Sequence, residues 1–118
     1  MTGSHFSFDR AAFAEVHAHG APNAILAARV LERSDSRGCR FVELCEVPPG
    51  AGVATHTHGL EDEEIYVVVS GNGSMTLDGA EIAVGPGDVV VNRPGGTHSL
   101  RNDGPGPLRM VVIDMASP

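Results

Sequence analysis

The chain has 118 residues, the length of one domain built around a single hydrophobic core. Hydrophobic residues make up 42% of it and charged residues 19%, a composition that excludes an intrinsically disordered protein. The formal net charge is −7, from 15 acidic residues against 8 basic ones that are all arginine, which excludes a catalytic lysine and speaks against binding to nucleic acid.

The sequence gives no sign of a membrane or secretory segment. Its longest apolar runs, such as residues 67–69 and 110–113, are far shorter than the roughly 20 residues that cross a bilayer. The first residues lack the basic and apolar regions of a secretory signal. Cys39 and Cys45 lie too far apart on one predicted strand to form a disulfide with each other. We therefore expect free thiols and a cytoplasmic protein.

In chain order, the first predicted element is a short helix over residues 9–19. Phe13 and Val16 fall on one side of it, and alanines fill the positions between them. His17 and His19 form a His-x-His pair at its end. Nothing in the flanking sequence resembles a metal site, so we interpret this pair as solvated side chains of an N-terminal arm.

Beyond residue 20, short apolar runs alternate with clusters of glycine and proline. These clusters recur mostly at intervals of about eight to twelve residues, a pattern typical of an all-β sandwich or barrel. The Asp78-Gly79 dipeptide suits a tight hairpin turn, because both residues tolerate a positive φ. The apolar runs predict strands over residues 25–32, 38–47, 52–57, 63–70, 73–77, 80–84, 88–92, 97–102 and 107–114.

A second His-x-His pair lies at the end of the predicted strand 52–57. Residues i and i+2 of a strand face the same side, so His56 and His58 project together and could share one metal ion. The acidic run 61–64 follows at the start of the next strand and offers the carboxylate that such sites generally recruit. The alternatives are a chance pair of surface histidines and a solvated acidic face.

Another histidine occurs in a block over residues 87–102. Gly87 is followed by five residues, an Arg-Pro-Gly turn at 93–95, two residues, His98, three residues and Asn102. A lone histidine at the start of a strand is normally structural. Because this block repeats the glycine, turn and strand arrangement of the first one, His98 becomes a candidate third imidazole.

Together the two blocks resemble the paired sequence motifs of the cupin superfamily. In the first block, Gly50 is followed after five residues by His56-x-His58, and an acidic residue is followed after six residues by Gly71. The second block keeps the family's order of glycine, turn, histidine and asparagine. The resemblance covers residues 50–102.

The resemblance implies an all-β fold, a double-stranded β-helix or jelly-roll barrel. This barrel would occupy residues 21–118 as a single cupin domain, preceded by an arm or short helix over residues 1–20. The apolar segment 21–35 could pair with another subunit, since sheet edges are generally covered. The family and this segment together predict a homodimer.

The resemblance also implies a divalent transition metal at the barrel mouth, namely zinc, iron, nickel, manganese or copper. Its ligands would be His56, His58, Glu64 and His98. The spacing from the histidines favours Glu63 as the acid, whereas the spacing to the following glycine favours Glu64. Strand register favours Glu64, because the apolar run 65–67 must begin the next strand.

Four further side chains could reach a ligand in the barrel mouth. If the acidic ligand points inward, strand alternation points Tyr66 inward as well, where its hydroxyl is a candidate catalytic group. The alternative for Tyr66 is packing on the outer sheet. Arg40, Arg101 and Arg109 could each clamp a carboxylate or pair with an acidic residue at the surface. Asn102 reads as a buried amide that pins a loop.

The resemblance thus implies a metal-dependent enzyme that acts on a small oxygen-containing metabolite. A divalent ion on three neutral imidazoles and one carboxylate keeps one net positive charge, which attracts an anionic ligand. Iron, nickel or copper favours dioxygenase-like chemistry, and zinc or manganese favours isomerase or lyase steps. The alternatives are a barrel that binds a sugar or organic acid without turnover, and a metal-free structural barrel.

Overall fold

The computed structural model describes residues 3–32 and 38–116. Within these residues, ten β-strands form two antiparallel sheets, and a 3-10 turn lies at Ala18–Gly20. The strands are β1 (Ala14–Val16), β2 (Ile25–Glu32), β3 (Cys39–Val47), β4 (Gly52–Thr57), β5 (Asp62–Ser70), β6 (Gly73–Leu77), β7 (Ala80–Val84), β8 (Val89–Asn92), β9 (Thr97–Arg101) and β10 (Leu108–Ala116).

The two sheets form the jelly-roll barrel that the sequence predicts. The larger sheet has the order β1-β2-β3-β10-β5-β8 and the smaller one β4-β9-β6-β7. Strands far apart in sequence pair directly, as β3 does with β10 and β4 with β9. Because β4 and β9 lie in one sheet and β5 in the other, their inward side chains meet inside the barrel.

The hydrophobic core fills the space between the sheets. Along β5 and β10, buried residues alternate with more exposed ones, as expected for strands with one face in the core. Val47, Met75 and Leu108 are completely buried. Burying a side chain of this size contributes roughly 1.5–3 kcal/mol to stability. Most of the buried polar side chains gather instead toward one end of the barrel, namely Asp62, Glu64, Asn92, His98 and Asp114.

The predicted strands agree closely with the observed ones. The predictions for 25–32, 52–57, 73–77 and 80–84 coincide with β2, β4, β6 and β7, and the other five differ by one or two residues at one or both ends. The hairpin between β6 and β7 is also confirmed. Asp78 and Gly79 have φ values of 47° and 87°, the pair of positive angles that a tight hairpin turn of this type requires.

The short helix predicted over residues 9–19 is wrong. This segment contains β1, which pairs with β2 from Ala14 to Val16, and the beginning of the 3-10 turn. Phe13 stacks on Phe8 at 6.1 Å, and Val16 lines an interior cavity. A helix of this length is marginal by itself, whereas a strand at this position gains backbone hydrogen bonds from the edge of β2.

The segment 21–35, which was expected to pair with another subunit, pairs within the chain. β2 is bonded to β3 on one side and, over residues 25–27, to β1 on the other. Residues 33–35 lie outside the described residues. The part of β2 beside β1 is therefore already covered within the chain, whereas residues 28–32 have no strand on that side among the described residues.

Two expectations about the cysteines and the membrane can also be compared with the structure. Cys39 is partly exposed, Cys45 is buried, and both are free thiols as predicted. Among residues 3–32 and 38–116, no helix is long and apolar enough to span a bilayer.

Candidate metal centre

Four side chains from three strands and a loop converge at one end of the barrel. His56 on β4 is paired in register with His98 on β9, and His58 follows directly after β4. Glu64 approaches from β5 in the facing sheet. One potential ligand atom from each of the four lies within 4.8 Å of the others. The sheet packing thus brings together the four residues singled out in the sequence.

The imidazole rings of His56 and His58 are oriented so that one nitrogen of each ring faces this point. Nδ1 of His56 donates a hydrogen bond to the backbone carbonyl of Ala54 at 2.8 Å, which leaves Nε2 with a lone pair. Nδ1 of His58 lies 3.4 Å from a carboxylate oxygen of Asp62. A backbone carbonyl and a carboxylate are the usual partners of metal-binding histidines, and here they fix the orientation of both rings.

The arrangement fits a divalent transition metal. The Nε2 atoms of His56 and His58 are buried and have no hydrogen-bond partner within the described part of the chain, a costly state for polar atoms. Burial lowers the pKa of His56 and favours the neutral imidazole, the form that binds a metal. Three imidazoles and one carboxylate suit zinc, iron, nickel, manganese or copper.

Glu64, and not Glu63, is the acid that faces the imidazoles. Its Oε1 lies 3.5 Å from Nε2 of His58 and 3.5 Å from Nε2 of His98. Burial acts to raise the pKa of Glu64, but hydrogen bonds from His98 and Tyr66 outweigh it, so the pKa is lowered and the group is a carboxylate. Glu63 points away and lies 3.7 Å from Arg93.

Tyr66 is buried beside this group of ligands. Its hydroxyl lies 3.3 Å from Nε2 of His98 and is hydrogen-bonded to Glu64. Burial raises the pKa of Tyr66 well above its ordinary value, and the neighbouring Glu64 carboxylate raises it further. The phenol therefore stays protonated and can donate a hydrogen bond to an oxygen atom near the four side chains.

A pair of carboxyl groups supports His58 from behind. Asp62 and Asp114 are hydrogen-bonded to each other, and Arg40 lies 3.7 Å from the first and 3.6 Å from the second. Burial, followed by the bond with Asp62, raises the pKa of Asp114 to about 8, while that bond lowers the pKa of Asp62. At neutral pH, Asp114 thus carries the shared proton and Asp62 presents its negative charge to His58.

A cavity of about 520 Å³ opens beside Glu64 and His58. His19 lines it and stacks on the ring of His56, with centroids 3.5 Å apart and planes at 8°. Both histidines of the first His-x-His pair are exposed, as the solvated interpretation predicts. His19 in addition contacts the ring of His56, whereas Nδ1 of His17 donates to the carbonyl of Ala21 at 3.0 Å.

Behind His98 lies a second, smaller cavity of about 110 Å³. Nδ1 of His98 and both polar side-chain atoms of Asn92 are buried there, without hydrogen-bond partners among the described residues. The volume is enough for a few water molecules, which commonly satisfy buried polar groups of this kind.

Residues 43–114 match the family model described as Cupin domain. The chain belongs to the cupin family. Cupins commonly bind divalent metals, and this cupin carries the histidine and glutamate cluster described above. The family assignment agrees with the resemblance seen in the two sequence motifs.

Relatives with similar sequences come from archaea and bacteria. The cupin is 37% identical over 65 residues to an uncharacterized protein of Methanocaldococcus jannaschii, and 32% identical over 74 residues to an oxalate-binding protein of Thermotoga maritima. These matches cover 55% and 63% of this chain, and 51% and 60% of the two relatives. The chain thus spans about half to three fifths of the length of the curated relatives it matches.

A solved structure with a similar fold is that of a predicted oxalate decarboxylase from Thermotoga maritima. Its TM-score is 0.90 with 22% sequence identity, and the alignment covers 97% of this cupin and 100% of the other chain. At this level of identity the likeness establishes the shared fold.

The other predicted arginines take up surface positions. Arg101 pairs with Asp103 at 2.7 Å in a largely exposed setting, and Arg109 pairs with Glu46 at 2.9 Å in a partly buried one. Sequence reasoning missed Arg29, which lines the cavity of this cupin. Its place on a predicted strand was visible, but alternation along one strand does not tell which of its faces is turned to the interior.

Proposed function

We propose that the protein binds a divalent transition metal through His56, His58, Glu64 and His98, and uses it to hold a small oxygen-containing molecule. The observation that carries the proposal is the pair of buried Nε2 atoms of His56 and His58, which have no hydrogen-bond partner among the described residues and lie close to the Glu64 carboxylate. When bound, the ion would supply Lewis-acid activation of the ligand's oxygen atoms.

The protein's own groups have separate roles in this proposal. Tyr66, a protonated phenol, donates a hydrogen bond to a ligand oxygen and is the candidate catalytic side chain. Asp62 holds the ring of His58 in its ligating orientation. The apolar side chains of the cavity wall strengthen the electrostatic interactions beside them.

The molecule to be held is an anion or becomes one on binding. A divalent ion on this ligand set has one net positive charge, which favours carboxylates and compounds that ionise to enolates. Oxalate is one candidate, by likeness to the oxalate-binding protein of Thermotoga maritima. This ligand set supports both dioxygenase-like chemistry and isomerase or lyase chemistry.

A barrel that binds its ligand without turnover is the second candidate, and the name of that relative favours it. Oxygen uptake with diketone or catechol-like compounds would identify a dioxygenase. Isomerisation of such compounds without oxygen uptake would identify the isomerase or lyase class. Full metal occupancy with neither reaction would favour the binding barrel.

Metal analysis of protein purified without chelator tests the site itself. We expect about one ion per chain, because the four ligands complete one coordination site. The His56→Ala/His58→Ala variant should lose it. The matched control, His5→Ala/His17→Ala, also removes two imidazoles but lies outside the site and should keep its metal. Equal metal content in all three proteins would refute the proposal.

We further propose that the protein forms a homodimer and works in the cytoplasm. Val69 and Val89, on the outer faces of β5 and β8, are 48% and 60% exposed. Exposed apolar side chains on adjacent strands favour burial against a second copy. The free thiols Cys39 and Cys45 support a reducing compartment.

A further inference from the structure

The cavity beside the four ligands is much larger than a ligand as small as oxalate. Its volume of about 520 Å³ lies in the range of roughly 300–1,000 Å³ found for pockets that hold drug-sized molecules. Much of its wall is apolar and comes from Ile25, Ala27, Phe41, Val53 and Met110. A wall of this kind binds an apolar body, since small anions gain nothing from it.

A polar pair stands at a distance from the metal ligands in the same cavity. Arg29 on β2 and Glu43 on β3 are opposite each other in register and form an ion pair at 3.3 Å. The guanidinium carbon of Arg29 lies 4.0 Å from the centre of the Phe41 ring. The Glu43 side chain is 19% exposed and that of Arg29 46%, so this end of the cavity still meets solvent.

The strand register places this pair across the sheet from Tyr66. Glu43 is opposite Val112 on β10, and Val112 is opposite Tyr66 on β5. Directly opposed residues of antiparallel strands face the same side, so the row from Arg29 to Tyr66 lines one surface. Four neighbouring strands span about 14 Å across a sheet, and the length of the Arg29 side chain reduces the distance between its guanidinium group and Tyr66.

Charge separates the two ends of the cavity. Arg29 and Glu43 neutralise each other, and together they offer a donor and an acceptor. Apart from Glu43 and Glu64, the carboxyl groups that line the cavity belong to Asp62 and Asp114. Arg40 lies near both of them. The site of a divalent ion would therefore be the end that attracts an anion, and the far end suits a neutral hydroxyl group, which both donates and accepts.

We propose that the ligand is a monoanionic chelator with an apolar body about the size of an aromatic ring and a neutral hydroxyl group that binds between Arg29 and Glu43. The inference rests on the proposed metal site and narrows its ligand class. The chelating oxygens occupy the metal end, the body lies against the apolar wall near Phe41, and the far hydroxyl donates to Glu43 and accepts from Arg29.

Three probes test this ligand class on the metal-loaded protein: 1-phenylbutane-1,3-dione, its 4-hydroxyphenyl analogue and oxalate. Calorimetry measures their dissociation constants. The test variant is Arg29→Met/Glu43→Met, which removes the pair without leaving one charge alone. The matched control is Arg109→Met/Glu46→Met, a cross-strand pair of the same type outside the cavity, with similar side-chain exposures of 41% and 23%.

In the wild type and the control, we expect the hydroxyl group to tighten binding about tenfold, the effect of one or two well-placed hydrogen bonds. The test variant should lose this gain and bind the parent diketone no more weakly than the wild type. Oxalate should bind the wild type more weakly than the hydroxylated diketone does, and equally in all three proteins.

The inference is overturned if the hydroxyl gain is absent from the wild type, if it persists in the test variant, or if oxalate is the tightest ligand. Should the test variant not fold, Glu43→Gln replaces it, and the gain must fall at least threefold. Metal content is measured on every sample. Wild-type protein without metal would refute the proposed metal site itself, whereas loaded protein that fails the ligand test refutes this inference alone.

Discussion

The side chain of Asn102 connects three backbone segments at the end of β9. It is completely buried, its amide donates to the carbonyls of Val47 and Gly106 at 2.9 and 2.8 Å, and its oxygen accepts from the amide of Gly104 at 2.9 Å. The sequence predicted a loop-pinning role for this residue, and the three bonds confirm it. An amide side chain is required because it alone donates twice and accepts in one plane.

Replacing Asn102 by alanine should lower the free energy of unfolding by about 3 kcal/mol, because it leaves several buried backbone groups without partners. Urea denaturation of the metal-free protein measures this. The control is Asn23→Ala, which removes an exposed bond to the carbonyl of Gly50 and should cost less than about 1 kcal/mol. Equal losses in the two variants would contradict the role given to Asn102.

The two cysteines should differ in reactivity. Burial raises the pKa of the Cys45 thiol to about 12, whereas Cys39 is partly exposed. Iodoacetamide at pH 8 should therefore modify Cys39 first, with mass spectrometry locating the label. Raising the pH to 9 should not activate Cys45, because its thiol stays protonated until the pH approaches its raised pKa. In urea both should react alike, and equal rates in the folded protein would oppose this prediction.

At the scale of single elements, glycines in the turns differ in how strictly they are required. Gly71 and Gly79 have φ values of 82° and 87°, which strain any other residue. A Cβ at Gly71 would also collide with the backbone of Pro107, while a Cβ at Gly79 would have no atom of the described residues within 4 Å. Glycine is therefore required at position 71 by its positive φ and by the close approach of Pro107. At position 79 it is required by its positive φ alone.

Alanine at these two positions separates the two effects. Gly79→Ala should cost about 1 kcal/mol of unfolding free energy, the penalty of the left-handed conformation. Gly71→Ala should cost about 3 kcal/mol, because the clash with the Pro107 backbone adds an overpacking penalty. Thermal and chemical unfolding compare them. A smaller loss at Gly71 than at Gly79 would show that the neighbouring loop yields freely.

Strand positions were predictable because each strand carries its own signal. Alternating apolar residues in β6 and β7, with Asp78-Gly79 between them, specify a hairpin within a short stretch of sequence. β1 was missed because three residues hold too little periodicity. Its strand conformation depends on the edge of β2, whose position is set by the whole sheet.

At the scale of the whole molecule, the proposed metal would tie together strands from both sheets. An ion that binds the folded state alone stabilises it by about 2.7 kcal/mol at 100 times its dissociation constant. For a domain of this size we expect a rise in Tm of about 10 °C on adding metal to chelator-treated protein. His98→Ala should abolish the rise and His5→Ala should retain it. A rise that survives in the His98→Ala variant would point to a different site.

The proposed homodimer makes a separate prediction. Sedimentation velocity at micromolar concentration should detect a dimer for the wild type. Val69→Lys/Val89→Lys should give a monomer, since two charges on the outer apolar face oppose its burial. Ile82→Lys changes an exposed apolar residue on β7 of the other sheet and should leave the dimer intact. A monomeric wild type would refute the proposed assembly.

The sequence by itself determined the strand positions, the hairpin, the buried role of Asn102 and the candidate ligand residues. These features depend on residue spacing within a strand or turn, where conformation follows from near neighbours. Only the tertiary structure decided that the four candidate ligands converge on one point, that His19 stacks on His56, and that Arg29 meets Glu43 at the cavity. Such contacts depend on strand pairing and on how the two sheets stack, and no local pattern encodes either of these.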